Sequence, residues 1–321
     1  MLTTIQKKDI SKIKIGIIGD AIIDAYQFIE PIGKSSKSPT ITANLLDCEY
    51  HCGGVLAIAN HISQLNNNIT LLTCLGINKE VDSENFIIKN IASNIKFEYI
   101  KSTHNPTILK KRFVDHTFQS NKLLEVIENN KSEYNEEEIK NIIHKIDDIE
   151  KKCDLILIAD FGHGLFESEI IINRINNLKK YTCLMVQTNS ANFGFNLITK
   201  YTKCDYFCID QREADLALSN KDDNYEKKIL LIANKLNSEI GTITLGKRGC
   251  IVFKKGDNPI YCSSQVTNQN IKDTVGAGDA FFSIASLLAY LNLESIEIGN
   301  HGNSAGYLAT QYLGNQNKIK L

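Results

Sequence analysis

The stretch Asp273-Thr274-Val275-Gly276-Ala277-Gly278-Asp279-Ala280-Phe281-Phe282 leads directly into the apolar segment Ser283–Leu291. Its two glycines and one alanine predict a helix start where backbone N–H groups converge with no side chain in front of them. These unpaired donors and the positive end of the helix dipole together make an anion site. Asp279 would lie in the first turn, where a carboxylate can act as a general base beside a phosphoryl group. A glycine-rich helix start with Asp279 as a mere dipole partner would give the same pattern.

Around this stretch, short apolar segments typical of buried strands alternate with amphipathic helices. Because parallel strands need helical crossovers, the alternation predicts one mainly parallel sheet with helices on both faces. The rhythm breaks at residues 27–51 and 97–128, which are rich in Thr, Tyr, Phe and Lys. We expect these two segments to pair as a small β lid over the carboxyl edge of the sheet. Residues 1–321 would then form one domain with an interrupted lid.

Composition excludes some classes of function. The chain has 321 residues, with 36 Lys+Arg against 37 Asp+Glu and a formal charge of -1, which argues against a nucleic-acid-binding protein. Its apolar runs are far shorter than the ~20 residues that cross a bilayer, and the first residues lack an apolar signal core. The nine cysteines include no C-x-x-C pair, so buried thiols in a reducing compartment are expected. The sequence thus predicts a cytoplasmic protein with no membrane partner.

Residues 273–281 resemble the second signature of the PfkB/ribokinase-type small-molecule kinases, and further motifs follow in the family's order. The resemblance implies a ribokinase-like three-layer α/β sandwich with a mainly parallel central sheet and a small β lid. It also implies an ATP-dependent, Mg²⁺-assisted phosphotransferase acting on a hydroxyl of a sugar or sugar phosphate. The further motifs are the first-strand end at 19–24, the double-glycine turn at 52–54, the N-x-x-E motif at 210–213 and the T-x-G-x-x-G nucleotide loop at 244–249.

By this resemblance, Asp279 is the general base and the backbone of Gly276–Asp279 is the anion hole. Glu213 helps to hold Mg²⁺ and phosphate through water, and Asp210, which stands where the family has Asn, is expected to share this role. The residues expected to bind the nucleotide are Thr244, Gly246, Gly249, Thr274, Asn303 and Glu213.

One branch of the family resembles this sequence more than the other branches do. Residues 19–24, 106–112 and 159–164 resemble the heptose 7-phosphate kinase domain of the bifunctional lipopolysaccharide-precursor enzymes. Basic side chains on a lid strand suit a sugar that already carries a phosphate, since Lys and Arg bind phosphate oxygens strongly. A solvated strand face would explain the run Lys110-Lys111-Arg112 equally well. The residues implied in acceptor binding are Asp20, Asp24, Gly53, Gly54, Asn60, Lys111, Arg112 and Asp160.

The sequence departs from the family mainly on the acceptor side. Ala57 stands where an Asn usually contacts the sugar, which is why Asn60, one helical turn further on, is considered as its substitute. His163 replaces a Lys, and Gln187-Thr188-Asn189 replaces D-P-K. We therefore expect the reaction to be retained and the acceptor to be different or differently held. The alternative is a non-catalytic, nucleotide- or sugar-binding or regulatory relative.

The resemblance also suggests partners. Lid strands in this family often pair across a dimer, and a bare lid edge would favour association, so a homodimer through the lid is expected. The heptose branch often carries a fused nucleotidyltransferase, for which 321 residues leave no room. A separate nucleotidyltransferase in the same pathway is the corresponding expectation.

Overall fold

The computed structural model describes residues 2–117, 121–128, 133–190, 192–264 and 271–320. Within them the strands form a large sheet in the order β13-β12-β11-β10-β9-β8-β1-β4-β5 and a small sheet in the order β3-β2-β6-β7. The large-sheet strands are β1 Ile15–Gly19, β4 Ile69–Leu75, β5 Ile95–Lys101, β8 Leu155–Asp160, β9 Tyr181–Val186, β10 Tyr206–Asp210, β11 Ile240–Thr244, β12 Cys250–Lys254 and β13 Ile260–Cys262. The small-sheet strands are β2 Ala21–Lys34, β3 Ile41–Gly54, β6 Ile108–Asp115 and β7 Lys122–Glu128.

Helices cover both faces of the large sheet. Buried residues of α2 and α8 share one core with one face of the sheet, whereas those of α4, α5 and α7 share a second core with the opposite face. The described helices are α1 Thr4–Ile10, α2 Val55–Ile62, α3 Ser83–Asn90, α4 Glu136–Lys152, α5 Glu169–Asn176, α6 Gln211–Leu218, α7 Tyr225–Lys235, α8 Ala277–Tyr290 and α9 Ser295–Ala309.

The sheet is parallel from β5 to β11 and antiparallel only where β12 and β13 complete one edge. The central strands are rich in Ile and Leu and buried on both faces, as expected for a parallel sheet between two helix layers. The predicted three-layer α/β sandwich with a mainly parallel sheet is confirmed.

Local sequence explains the helix boundaries. The helix α4 begins at a capping box in which the Asn135 side chain accepts from the Glu138 N–H and the Glu138 side chain accepts from the Asn135 N–H. Its first turn is acidic and its last turn basic, which complements the helix dipole. Ile142, Ile146 and Ile149 form its buried stripe.

The small sheet differs in extent from the predicted lid. Residues 95–101 form β5, which pairs in parallel with β4 in the large sheet, so the second excursion begins at Ile108 and not at residue 97. As an edge strand β5 is half exposed and carries mixed side chains, which hid it from the pattern of buried strands. The first excursion is longer than predicted, because β2 starts at Ala21 and β3 ends at Gly54.

The two sheets meet where β1 ends. Only Asp20 separates β1 from β2, and the Thr73 hydroxyl fixes the crossing by donating to the Gly19 carbonyl at 2.7 Å and accepting from the Ala21 N–H at 3.0 Å. The small sheet therefore leaves the large one at the carboxyl ends of the strands, where open α/β sheets bind ligands. In the part of the chain that the structure describes, no helix is both long and apolar enough to span a bilayer.

Candidate active site

A cleft of about 630 Å³ lies between the small sheet and the carboxyl edge of the large sheet, a volume suited to a small-molecule ligand. One wall comes from the small sheet and contains Asp24, Lys110, Arg112 and Glu125. The other wall comes from segments that the sequence assigns to phosphate binding. These contribute Asp210, Glu213, Thr244, Gly246, Gly249, Thr274, Gly276, Ala277, Gly278, Asp279 and Asn303.

The turn before α8 has the conformation that an anion hole needs. Gly276 is the N-cap, with φ +84°, and a Cβ there would lie 2.1 Å from the Asn315 Oδ1, so only glycine fits. A Cβ on Gly278 would meet nothing closer than the Gln187 Nε2 at 3.8 Å, so this side of the turn is open to the cleft. The first N–H groups of a helix lack intrahelical acceptors. Here the Ala277 N–H donates to the Thr274 carbonyl at 3.3 Å, and the residues that carry the next two N–H groups, Gly278 and Asp279, line the cleft.

The Asp279 carboxyl lies in the first turn of α8 and is buried, with 6% of the residue exposed. Burial and the nearby Asp24 carboxylate raise its pKa to about 7, against the opposing effect of Lys110, a hydrogen bond from Gln187, and Arg112. The Gln187 Nε2 donates to the Asp279 Oδ1 at 3.2 Å. A carboxylate with a near-neutral pKa beside an anion hole is suited to general-base catalysis.

The small sheet supplies one guanidinium paired with two carboxylates. Arg112 forms ion pairs with Asp24 and, at 2.8 Å, with Glu125. The double-glycine turn makes room for Asp24, since a Cβ on Gly53 would lie 2.2 Å from its carboxylate oxygen. Gly54 lines the cleft and has φ +57°.

Lys110 is a buried cation in the wall of the cleft. Only 9% of the residue is exposed, and burial lowers the pKa of its ammonium even though Asp24, Glu125 and Asp279 oppose this. Among the described residues it forms no salt bridge, whereas Arg112 and Lys111 each form two. A buried, unpaired cation in a cleft is a site for an anionic group of a ligand.

The carboxylates expected near the metal form a capping box at the start of α6. The Asp210 side chain accepts from the Glu213 N–H at 2.7 Å, and the Glu213 carboxylate accepts from the N–H groups of Asp210 at 2.7 Å and Thr188 at 2.9 Å. Burial and Asp210 raise the pKa of Glu213 to about 8. Within the described ranges no cluster of three or more His, Cys, Asp or Glu could hold a metal. Asp210 and Glu213 would hold a Mg²⁺ ion bound here through its own waters, which is how Mg²⁺ is commonly bound.

The nucleotide loop follows β11. Gly246 and Gly249 have φ +57° and +100°, and a Cβ on Gly249 would lie 2.1 Å from the Cys262 carbonyl oxygen. The Asn303 Nδ2 donates to the same carbonyl at 3.0 Å, which places α9 beside the loop. The structure thus brings all the residues predicted for nucleotide binding into one cleft.

Two predicted acceptor ligands serve the fold instead. The Asp20 carboxylate accepts from the N–H groups of Phe161 at 3.1 Å, His163 at 3.4 Å and Leu165 at 3.3 Å, so it holds the loop after β8. Burial and Asp160 raise the pKa of Asp20 to about 7. Neither Asp20 nor Asp160 lines the cleft.

Asp160 is fully buried beneath the same loop. Its carboxylate accepts from the Tyr201 hydroxyl at 2.9 Å and the Asn196 amide at 3.1 Å, and it pairs with Lys200 at 2.6 Å. A buried carboxylate must find such partners, and here the fold supplies them all. Asp20 and Asp160 therefore lie among the backbone and side-chain groups that hold this loop, outside the cleft that the other predicted residues line.

Asn60 and Lys111 also lie outside the cleft. The Asn60 amide donates to the Asn90 carbonyl at 3.3 Å and accepts from the Ala92 N–H at 2.9 Å, so it ties α2 to the segment after α3. Lys111 pairs with Glu80 and, at 2.7 Å, with Glu128 on the opposite face of the small sheet. Because successive strand residues point to opposite faces, Lys110 is the residue that shares the cleft with Arg112.

Sequence reasoning missed Lys110, Glu125 and Gln187 as members of the site. Lys110 stands two residues from Arg112, so strand alternation contained the signal once Arg112 was chosen. In the sequence Gln187 stands out only as a departure from D-P-K, although it directly follows β9 at the carboxyl edge. No sequence signal points to Glu125.

A parallel sheet with a glycine-rich anion turn, a capped helix start and a second sheet across the cleft defines a small-molecule phosphotransferase. The chain matches the pfkB family carbohydrate kinase model over residues 12–320, and it belongs to that family. It is thus a carbohydrate kinase, and the predicted family and enzyme class are confirmed.

Relatives of known name are distant. The bifunctional protein HldE of Desulfatibacillum aliphaticivorans is 22% identical over 281 residues, which are 86% of this chain and 55% of that protein. The bifunctional protein HldE of Coxiella burnetii (strain Dugway 5J108-111) is 23% identical over 317 residues, 96% of this chain and 63% of that protein. The chain therefore spans about half to two thirds of the length of these relatives.

Solved structures share the fold. Phosphofructokinase-2 from Escherichia coli in complex with fructose-6-phosphate has a TM-score of 0.73 at 15% identity, covering 94% of this chain and 95% of that one. Ribokinase from Thermotoga maritima has a TM-score of 0.69 at 17% identity, covering 95% of both chains. These likenesses confirm the ribokinase-like fold.

Proposed function

We propose that this kinase transfers the γ-phosphoryl group of ATP to a hydroxyl of a phosphorylated sugar, with a heptose 7-phosphate-like molecule as acceptor. One observation carries the proposal: a buried carboxylate on an anion turn, Asp279, faces a buried unpaired ammonium, Lys110, across a single cleft. The first group suits phosphoryl transfer, and the second suits an acceptor that already bears a negative group.

In the proposed reaction, Asp279 takes the proton of the attacking hydroxyl. The hydroxyl oxygen forms a new bond to the γ-phosphorus while the bond from that phosphorus to the β,γ-bridging oxygen breaks, and ADP leaves. The backbone N–H groups of Gly276–Asp279 stabilise the charge on the transferring oxygens. Asp210 and Glu213 would hold Mg²⁺ through water, and bound Mg²⁺ supplies positive charge to the phosphates.

The acceptor would lie against the small sheet. Asp24 accepts hydrogen bonds from sugar hydroxyls, which need acceptors for their protons. Lys110 and Arg112 bind the phosphate already on the sugar, with Glu125 and Asp24 fixing the guanidinium. The similarity to HldE proteins supports this acceptor class, and the departures at Ala57, His163 and Gln187 support an acceptor held differently from the usual one.

A phosphorus NMR screen of products tests the acceptor. The protein is incubated with ATP and Mg²⁺ plus heptose 7-phosphate, fructose 6-phosphate or the matching unphosphorylated sugars. We expect a second phosphate ester only on acceptors that already carry one. Equal turnover of free heptose would contradict the role of Lys110, and nucleotide-induced thermal stabilisation without any turnover would favour a non-catalytic relative.

We further propose a homodimer through the small sheet. The far end of its β2–β3 arm exposes large apolar side chains, with Ile32, Ile41 and Leu45 each about 60% exposed. Such an edge associates unless it is covered. Light scattering of the wild type should give twice the chain mass, and Leu45→Glu should halve it.

The cellular setting follows as a proposal from the same chemistry. A kinase that consumes ATP and has nine free cysteine thiols suits the cytoplasm. Its product, a sugar bearing two phosphates, would pass to a separate nucleotidyltransferase.

A further inference from the structure

The buried carboxylate of Asp273 joins the two halves of the cleft. Its Oδ2 accepts from the Tyr26 hydroxyl at 2.8 Å and the Gly314 N–H at 3.0 Å. Its Oδ1 accepts from the Val275 N–H at 3.0 Å and forms an ion pair with the Lys122 ammonium. Only 5% of the residue is exposed. A buried carboxylate needs hydrogen-bond donors, and this one has four.

These donors come from two different parts of the structure, the small sheet and the segments around α8 and α9. Tyr26 lies on β2 and Lys122 is the first residue of β7, so both belong to the small sheet. Val275 immediately precedes Gly276, the N-cap of α8, and Gly314 lies beyond α9. Asp273 is therefore a point at which the small sheet is fastened to the turn that forms the anion hole.

The contacts continue from Asp273 to the acceptor end of the cleft. The Tyr26 ring is fully buried, and the Arg112 guanidinium lies 5.5 Å from its centroid. Arg112 in turn is paired with Asp24, which lines the cleft. One uninterrupted chain of polar contacts thus runs from the proposed sugar-binding carboxylate to the residue that shapes the anion turn.

We propose that Asp273 is a positioning residue that holds the anion turn in its phosphoryl-binding conformation only while Tyr26 and Lys122 are docked against it. Without these two donors a buried carboxylate is left with backbone N–H groups alone, so it draws in water and the turn loosens. Docking of the small sheet against Asp273 and completion of the anion hole are then one event. This inference rests on the proposed anion hole but not on the identity of the acceptor.

The test uses ADP, Mg²⁺ and aluminium fluoride, which together mimic the transferring phosphoryl group and need no acceptor. The measured quantity is the ratio of ADP affinity with aluminium fluoride to ADP affinity without it. Tyr26→Phe and Lys122→Met each remove one donor and keep the shape of the side chain. We expect each to lower this ratio at least tenfold and to change the affinity for ADP alone less than twofold.

Lys111→Met is the matched control, because it removes an ammonium from the same sheet on the face away from the cleft. It should leave the ratio within twofold of the wild type. If Tyr26→Phe and Lys122→Met keep the wild-type ratio while their melting temperatures fall, Asp273 is only structural and the inference is overturned. If the wild type itself shows no tightening by aluminium fluoride, the proposed anion hole fails, and the inference fails with it.

Discussion

The two ends of the cleft are built in different ways. The phosphate end is made from three short segments, each of a few consecutive residues: the turn before α8, the loop after β11 and the capped start of α6. The acceptor end is made from side chains that reach across two sheets, on β2, β6, β7 and β9. All the residues predicted for the phosphate end line the cleft, whereas five of the eight predicted for the acceptor end do not. A site built from short segments of backbone can be predicted from local sequence motifs. A site built from side chains on several strands can be predicted only if the direction of each side chain is known.

The largest expected effect on turnover comes from a variant that removes the proposed base and keeps the turn on which it lies. Asp279→Asn keeps the shape of the first turn of α8 but cannot accept a proton. We expect turnover to fall at least ~100-fold with nucleotide affinity nearly unchanged, since general-base catalysis contributes about 10²–10⁴ in rate. Steady-state kinetics and nucleotide titration measure both quantities, and a variant with near wild-type turnover would refute Asp279 as the base.

The next effect tests the side-chain direction at the acceptor end. Lys110→Met removes the unpaired ammonium, and we expect the KM for a phosphorylated acceptor to rise about tenfold to a hundredfold, equivalent to a charged hydrogen bond of about 1.5–3 kcal/mol. Lys111→Met, one residue further along β6, should change KM less than twofold, because its ammonium lies on the other face. A reversed pair of results would mean that the strand faces the other way.

A smaller effect concerns the pH dependence. Because Asp279 must be ionised to accept a proton and its pKa is about 7, kcat/KM should fall as the pH drops below 7. Gln187→Leu removes a hydrogen bond that lowers the pKa of Asp279, so this acidic limb should move to higher pH while the plateau changes little. A limb that stays in place in Gln187→Leu would show that Gln187 does not act on the base.

The smallest effect on catalysis is expected at Asn60. Asn60→Ala leaves the buried Ala92 N–H and the Asn90 carbonyl without their partner, which costs about 1–3 kcal/mol of unfolding free energy. The KM for the acceptor should stay within twofold of the wild type. Denaturant unfolding and kinetics measured on one preparation check both, and a raised KM with unchanged stability would restore Asn60 as a substrate ligand.

The fold itself was largely predictable from the sequence. Ile- and Leu-rich segments alternating with amphipathic helices fix a parallel sheet, because no other arrangement buries both faces of such strands. The edge strand β5 escaped notice because half of it is solvent-exposed, so its side chains do not follow the pattern of a buried strand. The sequence therefore predicted a small β-sheet formed by two excursions from the large sheet, but with residue bounds that differ from those of the observed small sheet.

The acceptor end shows why the rest was not predictable. In a strand every second residue changes face, so a run such as Lys110-Lys111-Arg112 cannot reveal which residues enter the cleft until the register is known. An acidic residue at a strand end has two uses, to bind a ligand or to hold a neighbouring loop. Asp24 lines the cleft while Asp20, four residues earlier, holds backbone N–H groups, and the sequence alone does not distinguish them.

The single-residue junction between β1 and β2 has a mechanical consequence. A rotation of the small sheet about this junction would leave Asp20 nearly still, because the strands on both sides of it are held in ladders. At ~3.3 Å per residue, Asp24 lies about 13 Å along the strand from this pivot and Lys34 about 46 Å. The strand is thus a lever of unequal arms. A force applied at Lys34 is multiplied about 3.5-fold at Asp24, while the displacement of Asp24 is smaller in the same proportion.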